Sequence, residues 1–406
     1  MAMAPGHELI AACRAIAPGL WVSVGMGGVI KRMLAPGRRQ PQTDLKRLDA
    51  LRRSMGRMAE CHDGLCASDP TARRLFDRGI SAMRACNWHD AISHLQQAKT
   101  ETNGVHLVAL LNLSGVCNYT SGRADAALRD FEESERLAAT LHAGRGRARA
   151  LNNIGLIRRD RGELDPALAT LSESLALTRG LADQWVVAIL LGNIGNVWHD
   201  KGDLATALSY HEQALTATHE IGDRWGEACE LGNIGSVYLD KGEPNRALRY
   251  YLQGLAMARA IGYQLGVATG LANVASICRS EGRLGKALQL EKEALAVARK
   301  AGDRIGMAAY LGNIGLDLMS RRKHSEAVPR LAAALTILSS VQVADGPRQA
   351  LTGLVVCEDR LGRGRIEGLL REFGLREGKV EDVLDRMDQI RMKRPAPLLS
   401  LQAAGP

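Results

Sequence analysis

The pentapeptide LGNIG occupies residues 191–195 and returns unchanged at residues 231–235 and 311–315. A weaker copy, LANVA, stands between them at residues 271–275. The copies share a period of 40 residues, and a fixed period of this length is typical of stacked helical hairpins. Stacked hairpins bury a continuous core and present an extended surface in place of a closed active site.

A longer pattern surrounds the pentapeptide and occurs seven times. A leucine stands four residues before the last small residue, and an alanine followed by Ile, Leu or Val begins twelve residues after it. The aligned small residues are Gly79, Gly115, Gly155, Gly195, Gly235, Ala275 and Gly315. Seven residues further stand Gly122, Gly162, Gly202, Gly242 and Gly282, with Cys86 and Arg322 in the outer copies. Each copy is therefore predicted to form a helix A, a turn in which glycine adopts a left-handed conformation, and a helix B.

This pattern resembles the tetratricopeptide repeat family. The resemblance rests on the leucine, the small residue four positions on, an aromatic residue three further (Trp198, Tyr238) and the alanine (Ala207), and it covers about residues 72–340. The proline that usually ends helix B is replaced by a longer connection, as at Ile221–Gly226. The chain is thus similar to the 40-residue-period subgroup, which includes spindle-orientation adaptors and bacterial regulatory proteins. The resemblance implies an all-α fold, a right-handed α-solenoid, but repeats of this type have many roles.

The segments outside the repeats complete the predicted organisation. Residues 1–42 read as an apolar tail and linker, and docking of this tail at a membrane surface is the alternative. The predicted segments are a tail at 1–42, an amphipathic capping helix at 43–71, the solenoid at 72–340, a degenerate eighth repeat at 341–374, and a short helix with a disordered end at 375–406.

Composition narrows the class of partner. The formal net charge is +9 and is spread along the chain, which weakly favours acidic partners. Nucleic acid is disfavoured, because aromatic residues make up only 4% of the chain and no base-reading pair recurs in every repeat. The eight cysteines lack paired spacing, so we expect reduced thiols in a cytoplasmic protein.

No motif predicts catalysis. The segment Gly192–Asn196 lacks a preceding strand and a GK[ST] ending, so it is not a phosphate-binding loop. Neither a zinc-hydrolase HExxH pattern nor a GxSxG nucleophile elbow occurs. The trio Cys61, His62 and Cys66 lacks a second ligand group for a zinc site. We therefore predict a protein without enzymatic activity, cofactor, metal or small-molecule substrate.

The candidate binding residues lie on helix A, which lines the concave groove in the family that the chain resembles. One asparagine recurs in five repeats, and its amide offers a donor and an acceptor to the backbone of an extended peptide. The alternative is that these asparagines bond a neighbouring helix and fix the register between repeats. The arginine-rich third copy favours an acidic ligand, because arginine binds carboxylates and phosphates in a bidentate manner. The predicted groove residues are Arg149, Asn153, Arg159, Asn193, Asn233, Asn273 and Asn313.

These observations predict a non-catalytic scaffold or regulator that binds an extended acidic peptide in its concave groove. Glu227 and Glu230 in the fifth copy predict a basic-to-acidic gradient that fixes the direction of the peptide. Two alternatives stay open. One is a basic solenoid that binds nucleic acid with steep salt dependence, and the other is a sensor that changes curvature when it binds a signal peptide.

Overall fold

The computed structural model describes residues 70–84, 88–340 and 346–392. Over these ranges the chain forms seventeen α-helices and no strand, which confirms the predicted all-α solenoid. The tail at 1–42 and almost all of the capping helix expected at 43–71 lie outside the described residues. The helices are α1 Pro70–Arg84, α2 Trp88–Thr100, α3 Gly104–Thr120, α4 Ala124–Thr140, α5 Gly144–Asp160, α6 Leu164–Gly180, α7 Gln184–Lys201, α8 Leu204–Glu220, α9 Arg224–Asp240, α10 Pro244–Ala260, α11 Gln264–Ser280, α12 Leu284–Lys300, α13 Arg304–Ser320, α14 His324–Ser340, α15 Gly346–Leu361, α16 Arg363–Glu372 and α17 Glu377–Met392.

The helices form two layers. Each of the helices α1 to α15 packs against the next one along the chain, and odd-numbered helices also contact each other, as α5 does with α7 and α7 with α9. Because the odd-numbered helices approach one another across the repeats, they form the inner, concave layer of the solenoid. The even-numbered helices form the outer layer.

The turn inside each hairpin depends on one glycine. Gly202 has φ +87° and ends α7, and Asp203 then caps α8 by accepting a hydrogen bond from the Thr206 amide at 3.0 Å. The corresponding glycines of the neighbouring hairpins also have positive φ angles. In the last hairpin, Arg322 adopts the same left-handed conformation at φ +59°, which is unfavourable for a residue with a Cβ atom.

The long connection between hairpins is built by three small or capping residues. Gly222, at φ +68°, ends α8, and the Asp223 carboxylate accepts a hydrogen bond from the Gly226 amide at 2.9 Å. A Cβ atom on Gly226 would lie 2.6 Å from both the Asp223 carboxylate and the Thr218 methyl group. The sequence GDRWG therefore ends one helix and starts the next within a tightly packed corner.

The core of each hairpin is a contact between the aligned small residue and one large residue sixteen positions later. A Cβ atom on Gly155 would lie 2.7 Å from the Leu171 side chain, so only glycine lets α5 and α6 approach this closely. The large residues at this position are Leu95, Phe131, Leu171, His211, Tyr251, Glu291 and Leu331. Five of the seven are apolar or aromatic, whereas His211 and Glu291 bring ionisable groups into the core.

The C-terminal end departs from the repeat. Helix α17 packs on α15 and buries Val380, Val383, Leu384 and Met387 against the core of the last hairpins. Arg363 at the start of α16 donates two hydrogen bonds of 2.9 Å to the Asp388 carboxylate. Among the described helices none is long and apolar enough to cross a membrane.

Candidate functional site

The face of α5 that packs on the outer layer is identified by its ion pairs and polar contacts. Arg147 contacts Glu135 of α4 and Glu173 of α6 at 2.7 and 2.6 Å, and Arg158 donates to Thr170 of α6. Residues about half a helical turn away from this stripe therefore face the groove. In α5 these are Arg145, Arg149, Asn152, Leu156 and Asp160.

The residue type at the N-terminal end of this inward stripe differs between repeats, from arginine to tryptophan. Arg145 is exposed and Arg149 is partly buried in α5, whereas the residue equivalent to Arg145 is Trp185 in α7 and Trp225 in α9. Both tryptophans are partly exposed, and the Trp225 ring lies 5.5 Å from the Tyr263 ring. Sequence reasoning missed Trp185, although its spacing of 40 residues from Trp225 was a usable signal.

The five asparagines of the predicted ladder lie beneath this surface, and each is at least nine-tenths buried. Asn193 of α7 donates to the Asn152 side chain of α5 at 2.8 Å. Asn313 of α13 donates to Glu291 of α12 at 2.9 Å. These two bonds tie a helix to the preceding repeat, which is the geometry that a role in repeat register requires.

The other three asparagines at this repeat position have different surroundings. Asn233 donates to Glu230 of its own helix at 3.1 Å, and Asn153 accepts a 3.4 Å hydrogen bond from Asn152. Asn273 is 7% exposed and is not among the asparagines at this repeat position that have a fully buried side-chain atom without a partner among the described residues, which are Asn153, Asn233 and Asn313. One repeated sequence position therefore holds three kinds of environment.

Arg159 is placed in a row of polar pairs between successive inner helices. It is 4% exposed, and its Nε atom donates to Asp200 at 2.5 Å. Tyr119 pairs with Asp160 in the same way, and His199 contacts Asp240 at 2.9 Å. The charge of Arg159 is thus balanced inside the protein, and the basic part of the groove consists of Arg145 and Arg149.

The two glutamates expected to make the groove acidic are buried. Glu230 is 1% exposed and contacts His211 of α8 at 2.9 Å. Glu227 is 4% exposed and lies 3.4 Å from His219. The acidic groups of the groove edge are instead Asp200 and Asp240, whose side chains retain about a fifth to a quarter of their exposure.

A second buried ionic cluster lies between α11, α12 and α13. Arg279 contacts Glu291 at 3.1 Å and also pairs with Asp317. Burial raises the pKa of Glu291 to about 8, against the opposing attraction of Arg279. Both carboxylates are fully buried, so the cluster belongs to the core and not to the groove.

No group of three or more metal-ligating side chains occurs in the described part of the chain. The candidate trio Cys61, His62 and Cys66 lies outside that part. Within it, Cys117, Cys229, Cys278 and Cys357 are free thiols, and all four are buried.

Comparison with known proteins identifies the repeat. The family model described as tetratricopeptide repeat matches residues 186–260, so this part of the chain consists of tetratricopeptide repeats. No curated protein sequence matches the chain at a significant level.

Solved structures share the fold at low sequence identity. A Rap protein complexed with competence and sporulation factor is 13% identical, with a TM-score of 0.56, over 95% of this chain and all of that one. A signal transduction ATPase with a tetratricopeptide repeat sensor, from Pyrococcus horikoshii, is 15% identical, with a TM-score of 0.52, over 84% of this chain and 54% of that one. The apo form of RapI is 14% identical, with a TM-score of 0.50, over 74% of this chain and 85% of that one. These likenesses establish the solenoid fold.

Proposed function

We propose that this tetratricopeptide-repeat protein is a non-catalytic scaffold or regulator that binds an extended peptide along its inner helical layer. The observation that carries the proposal is the inward stripe, which begins at Arg145 and Arg149 and continues through Trp185 and Trp225. A row of partly exposed basic and aromatic side chains on a concave surface is the composition typical of binding sites for other proteins.

The arginines of the groove determine where the acidic part of the peptide binds. Arg145 and Arg149 at the N-terminal end of α5 attract an acidic group of the ligand. Asp200 and Asp240 lie at the opposite, C-terminal ends of α7 and α9, where their oxygens accept hydrogen bonds from backbone amides of the ligand. An acidic residue of the peptide is therefore held beside α5, and its uncharged part lies over the tryptophans.

The predicted asparagine and arginine residues then have different roles. We assign Asn193, Asn313 and Arg159 to positioning of the repeats, because their buried bonds join different helices. Asn153 and Asn233 bond within their own helices. Arg149 remains a proposed contact of the ligand. Among the solved structures of the same fold, the Rap protein is complexed with competence and sporulation factor, which supports the regulator form of the proposal, in which a bound signal alters the curvature of the solenoid.

Affinity capture from the native lysate at physiological salt, followed by mass spectrometry, tests this function. The test variant carries Arg145→Glu and Arg149→Glu. The matched control carries Arg129→Glu and Arg249→Glu, because these exposed arginines lie on the outer helices α4 and α10 and the change in net charge is identical. Circular dichroism confirms equal helicity before capture.

The proposal predicts proteins that are retained by the wild type and the control but lost by the inner-face variant. Equal loss in both variants would show that net charge alone determines capture. Loss of the captured material after nuclease treatment would favour the nucleic-acid alternative, whose affinity falls steeply with salt.

A further inference from the structure

A cleft opens on the outer face of the solenoid, between the outer helices α4 and α6 and above α5. Its volume is about 270 Å³, and about 600 Å³ when the open mouth is included. The floor is formed by Leu151 and Ile154 of α5, which are 6% and 4% exposed. The free space therefore lies above a closed apolar floor and between polar side chains, on the side of α5 that faces away from the groove.

The neighbouring gaps between outer helices are filled by apolar and aromatic side chains. Between α8 and α10 the rings of Tyr238 and Tyr250 stack at 5.4 Å, and Leu215 packs against the same core cluster. The side chains that pack together in the same way between α6 and α8 are Leu175, Trp198 and Tyr210. The cleft is thus a local departure from the packing of the next two repeats.

Three residues of the cleft replace these apolar and aromatic side chains. They are Arg158 in place of Trp198 and Tyr238, Thr170 in place of Tyr210 and Tyr250, and Glu135 in place of Leu175 and Leu215. Arg158 donates a hydrogen bond to Thr170, so one hydrogen bond stands where the next repeats have packed rings. The sequence of this repeat therefore keeps the gap open and makes its walls polar.

Most of the charge in the walls is balanced inside the protein. Arg147 contacts Glu135 at 2.7 Å and Glu173 at 2.6 Å. Glu132 and Arg136 lie four residues apart on α4, a spacing at which opposite charges on a helix attract each other. The one cation of the cleft that is left without an acidic neighbour of this kind is Arg158.

Arg158 is held in place with one edge of its guanidinium group available. Its Nη1 atom donates to the Thr170 hydroxyl, and that hydroxyl donates at 2.8 Å to the backbone oxygen of Pro166. Among the described residues, Arg158 makes no ion pair, and its Nε and Nη2 atoms donate no hydrogen bond. The side chain is partly buried, so a carboxylate that supplies the missing counter-charge gains a bidentate, charge-assisted contact.

We propose that the cleft is a docking site for a partner protein, which inserts one acidic side chain and pairs its carboxylate with the Nε and Nη2 edge of Arg158. A free small acid fits less well, because the wide mouth would leave most of it in water, whereas a protein partner covers the mouth. A nucleic-acid backbone is disfavoured, since Glu132, Glu135 and Glu173 repel a chain of phosphates. The inference goes beyond the groove function, because it gives the scaffold a second partner on its opposite face.

The probe for this proposal is a phage-displayed library of random peptides. A closed variant, Arg158→Tyr with Thr170→Tyr, copies the Tyr238–Tyr250 pair of the next repeats and fills the cleft. Phage that bind the closed variant are removed first, and the remainder is selected on the full-length protein at physiological salt. Enriched peptides are synthesised, and their affinities are measured by fluorescence anisotropy.

A second variant separates charge from volume. Arg158→Gln removes the cation but keeps a side chain that can donate to Thr170. Its matched control is Arg249→Gln, which makes the same change in net charge at an exposed arginine of the outer helix α10. Circular dichroism confirms equal helicity of all variants before binding is measured.

The expected result is a set of enriched peptides that contain Asp or Glu. Their affinity falls by about tenfold with Arg158→Gln and by less than about twofold with Arg249→Gln. Replacing the acidic residue of the peptide by its amide weakens binding to the wild type by a similar factor. The same replacement has no further effect on Arg158→Gln, because the ion pair is already absent.

Two results would overturn the proposal. If no peptide prefers the wild type to the closed variant, the cleft is not a docking site. If the enriched peptides keep their affinity for Arg158→Gln but lose it with Arg145→Glu and Arg149→Glu, they bind the inner layer, and the groove function stands without the outer site. Peptides that depend on Arg158 but not on Arg145 and Arg149 would support the outer site even if affinity capture finds no ligand of the groove.

Discussion

The junction of α5 with α6 and the junction of α11 with α12 fill the same buried repeat position with different side chains, one apolar and one ionisable. Leu171 fills the space beside Gly155, whereas Ala275 and Glu291 occupy the same two repeat positions in α11 and α12. The leucine needs no partner, but the glutamate requires Arg279 and Asn313 to satisfy its Oε1 atom. The comparison shows that a repeat position specifies volume and burial, while its chemistry is set by which partners neighbouring helices supply.

Some of the buried hydrogen-bonding atoms at the junction of α11 with α12 have no partner in the described part of the chain. Asp317 also replaces an apolar residue, since its equivalents in α7 and α9 are Val197 and Val237. One guanidinium group thus serves two buried carboxylates, and Glu291 Oε2 and Asp317 Oδ2 have no hydrogen-bond partner among the described residues. This arrangement favours a protonated Glu291. The contribution of the junction of α11 with α12 to stability therefore depends on pH, whereas that of the junction of α5 with α6 does not.

The largest effect is expected from removing the shared cation. Arg279→Met leaves the buried Asp317 without a counter-charge and removes a hydrogen-bond donor from Glu291, and we expect a loss of about 3–5 kcal/mol in unfolding free energy. Urea titration followed by circular dichroism measures it. The control is Arg259→Met, which removes an exposed arginine 3.4 Å from Glu293 and should cost less than about 1 kcal/mol.

The triple variant Arg279→Leu, Glu291→Leu and Asp317→Val copies the residues of other repeats and sharpens this test. If the three polar residues only fill the space that apolar residues fill in other repeats, the triple variant is at least as stable as the wild type. A triple variant that is as unstable as Arg279→Met would contradict that interpretation.

The apolar junction should respond through cavity formation. Leu171→Ala removes a fully buried side chain, and we expect a loss of about 2–5 kcal/mol. Leu252→Ala is the control, since Leu252 is 47% exposed. Urea titration of both variants measures the two losses of unfolding free energy. Similar losses would mean that Leu171 is not a core contact.

The pH dependence of stability separates the two junctions further. The native protein keeps the proton of Glu291 up to about pH 8, whereas the ordinary pKa of a glutamate is 4.5. The native state therefore binds more protons between these values, and this group lowers stability as pH rises through that window, by at most about 1.4 kcal/mol per pH unit. Urea midpoints between pH 5 and pH 8 should fall less in Glu291→Gln than in the wild type. Parallel profiles for the two proteins would rule out this assignment.

Two of the repeated asparagines allow a similar comparison, with smaller expected changes in unfolding free energy. Asn193→Ala breaks the bond to Asn152 and should cost about 0.5–1.5 kcal/mol. Asn273→Ala removes an amide for which the described chain shows no bond to another helix, so its unfolding free energy should stay within about 0.5 kcal/mol of the wild type. Thermal unfolding of both variants measures the difference, and an equal loss would mean that both asparagines act only in repeat register.

The smallest effect is expected at a turn. Ala182 has φ +53°, in the region where neighbouring connections carry glycines such as Gly222 at φ +68°. Ala182→Gly relieves this strain and should stabilise the protein by up to about 1 kcal/mol. The reverse change, Gly222→Ala, should destabilise it by a similar amount, and differential scanning calorimetry records both shifts.

The repeat made the fold predictable, and the helix–helix pairings made the site harder to predict. Gly202 and Gly242 identified turns because a left-handed backbone is a local requirement. The pairing of Arg159 with Asp200 depends on how one repeat is rotated against the next, so helical periodicity alone indicated a groove contact instead. The repeated spacing of 41 residues in Tyr119–Asp160, Arg159–Asp200 and His199–Asp240 is the signal that could have revealed it.

The burial of Glu230 was missed for a similar reason. Its position is filled by Leu190 and Tyr310 in other repeats, which indicates a core site, but a charged residue in an amphipathic helix is ordinarily placed in solvent. The contacts with His211 at 2.9 Å and with the Asn233 amide at 3.1 Å explain why a carboxylate occupies it.

The most direct test of the inner-face proposal is photo-crosslinking with p-benzoylphenylalanine placed at residue 225 or at residue 252. Trp225 stands on the inner helix α9, and the exposed Leu252 stands on the outer helix α10. With a captured partner, binding along the inner layer predicts covalent adducts from position 225 and none above background from position 252. Adducts from position 252 alone would contradict binding along the inner layer.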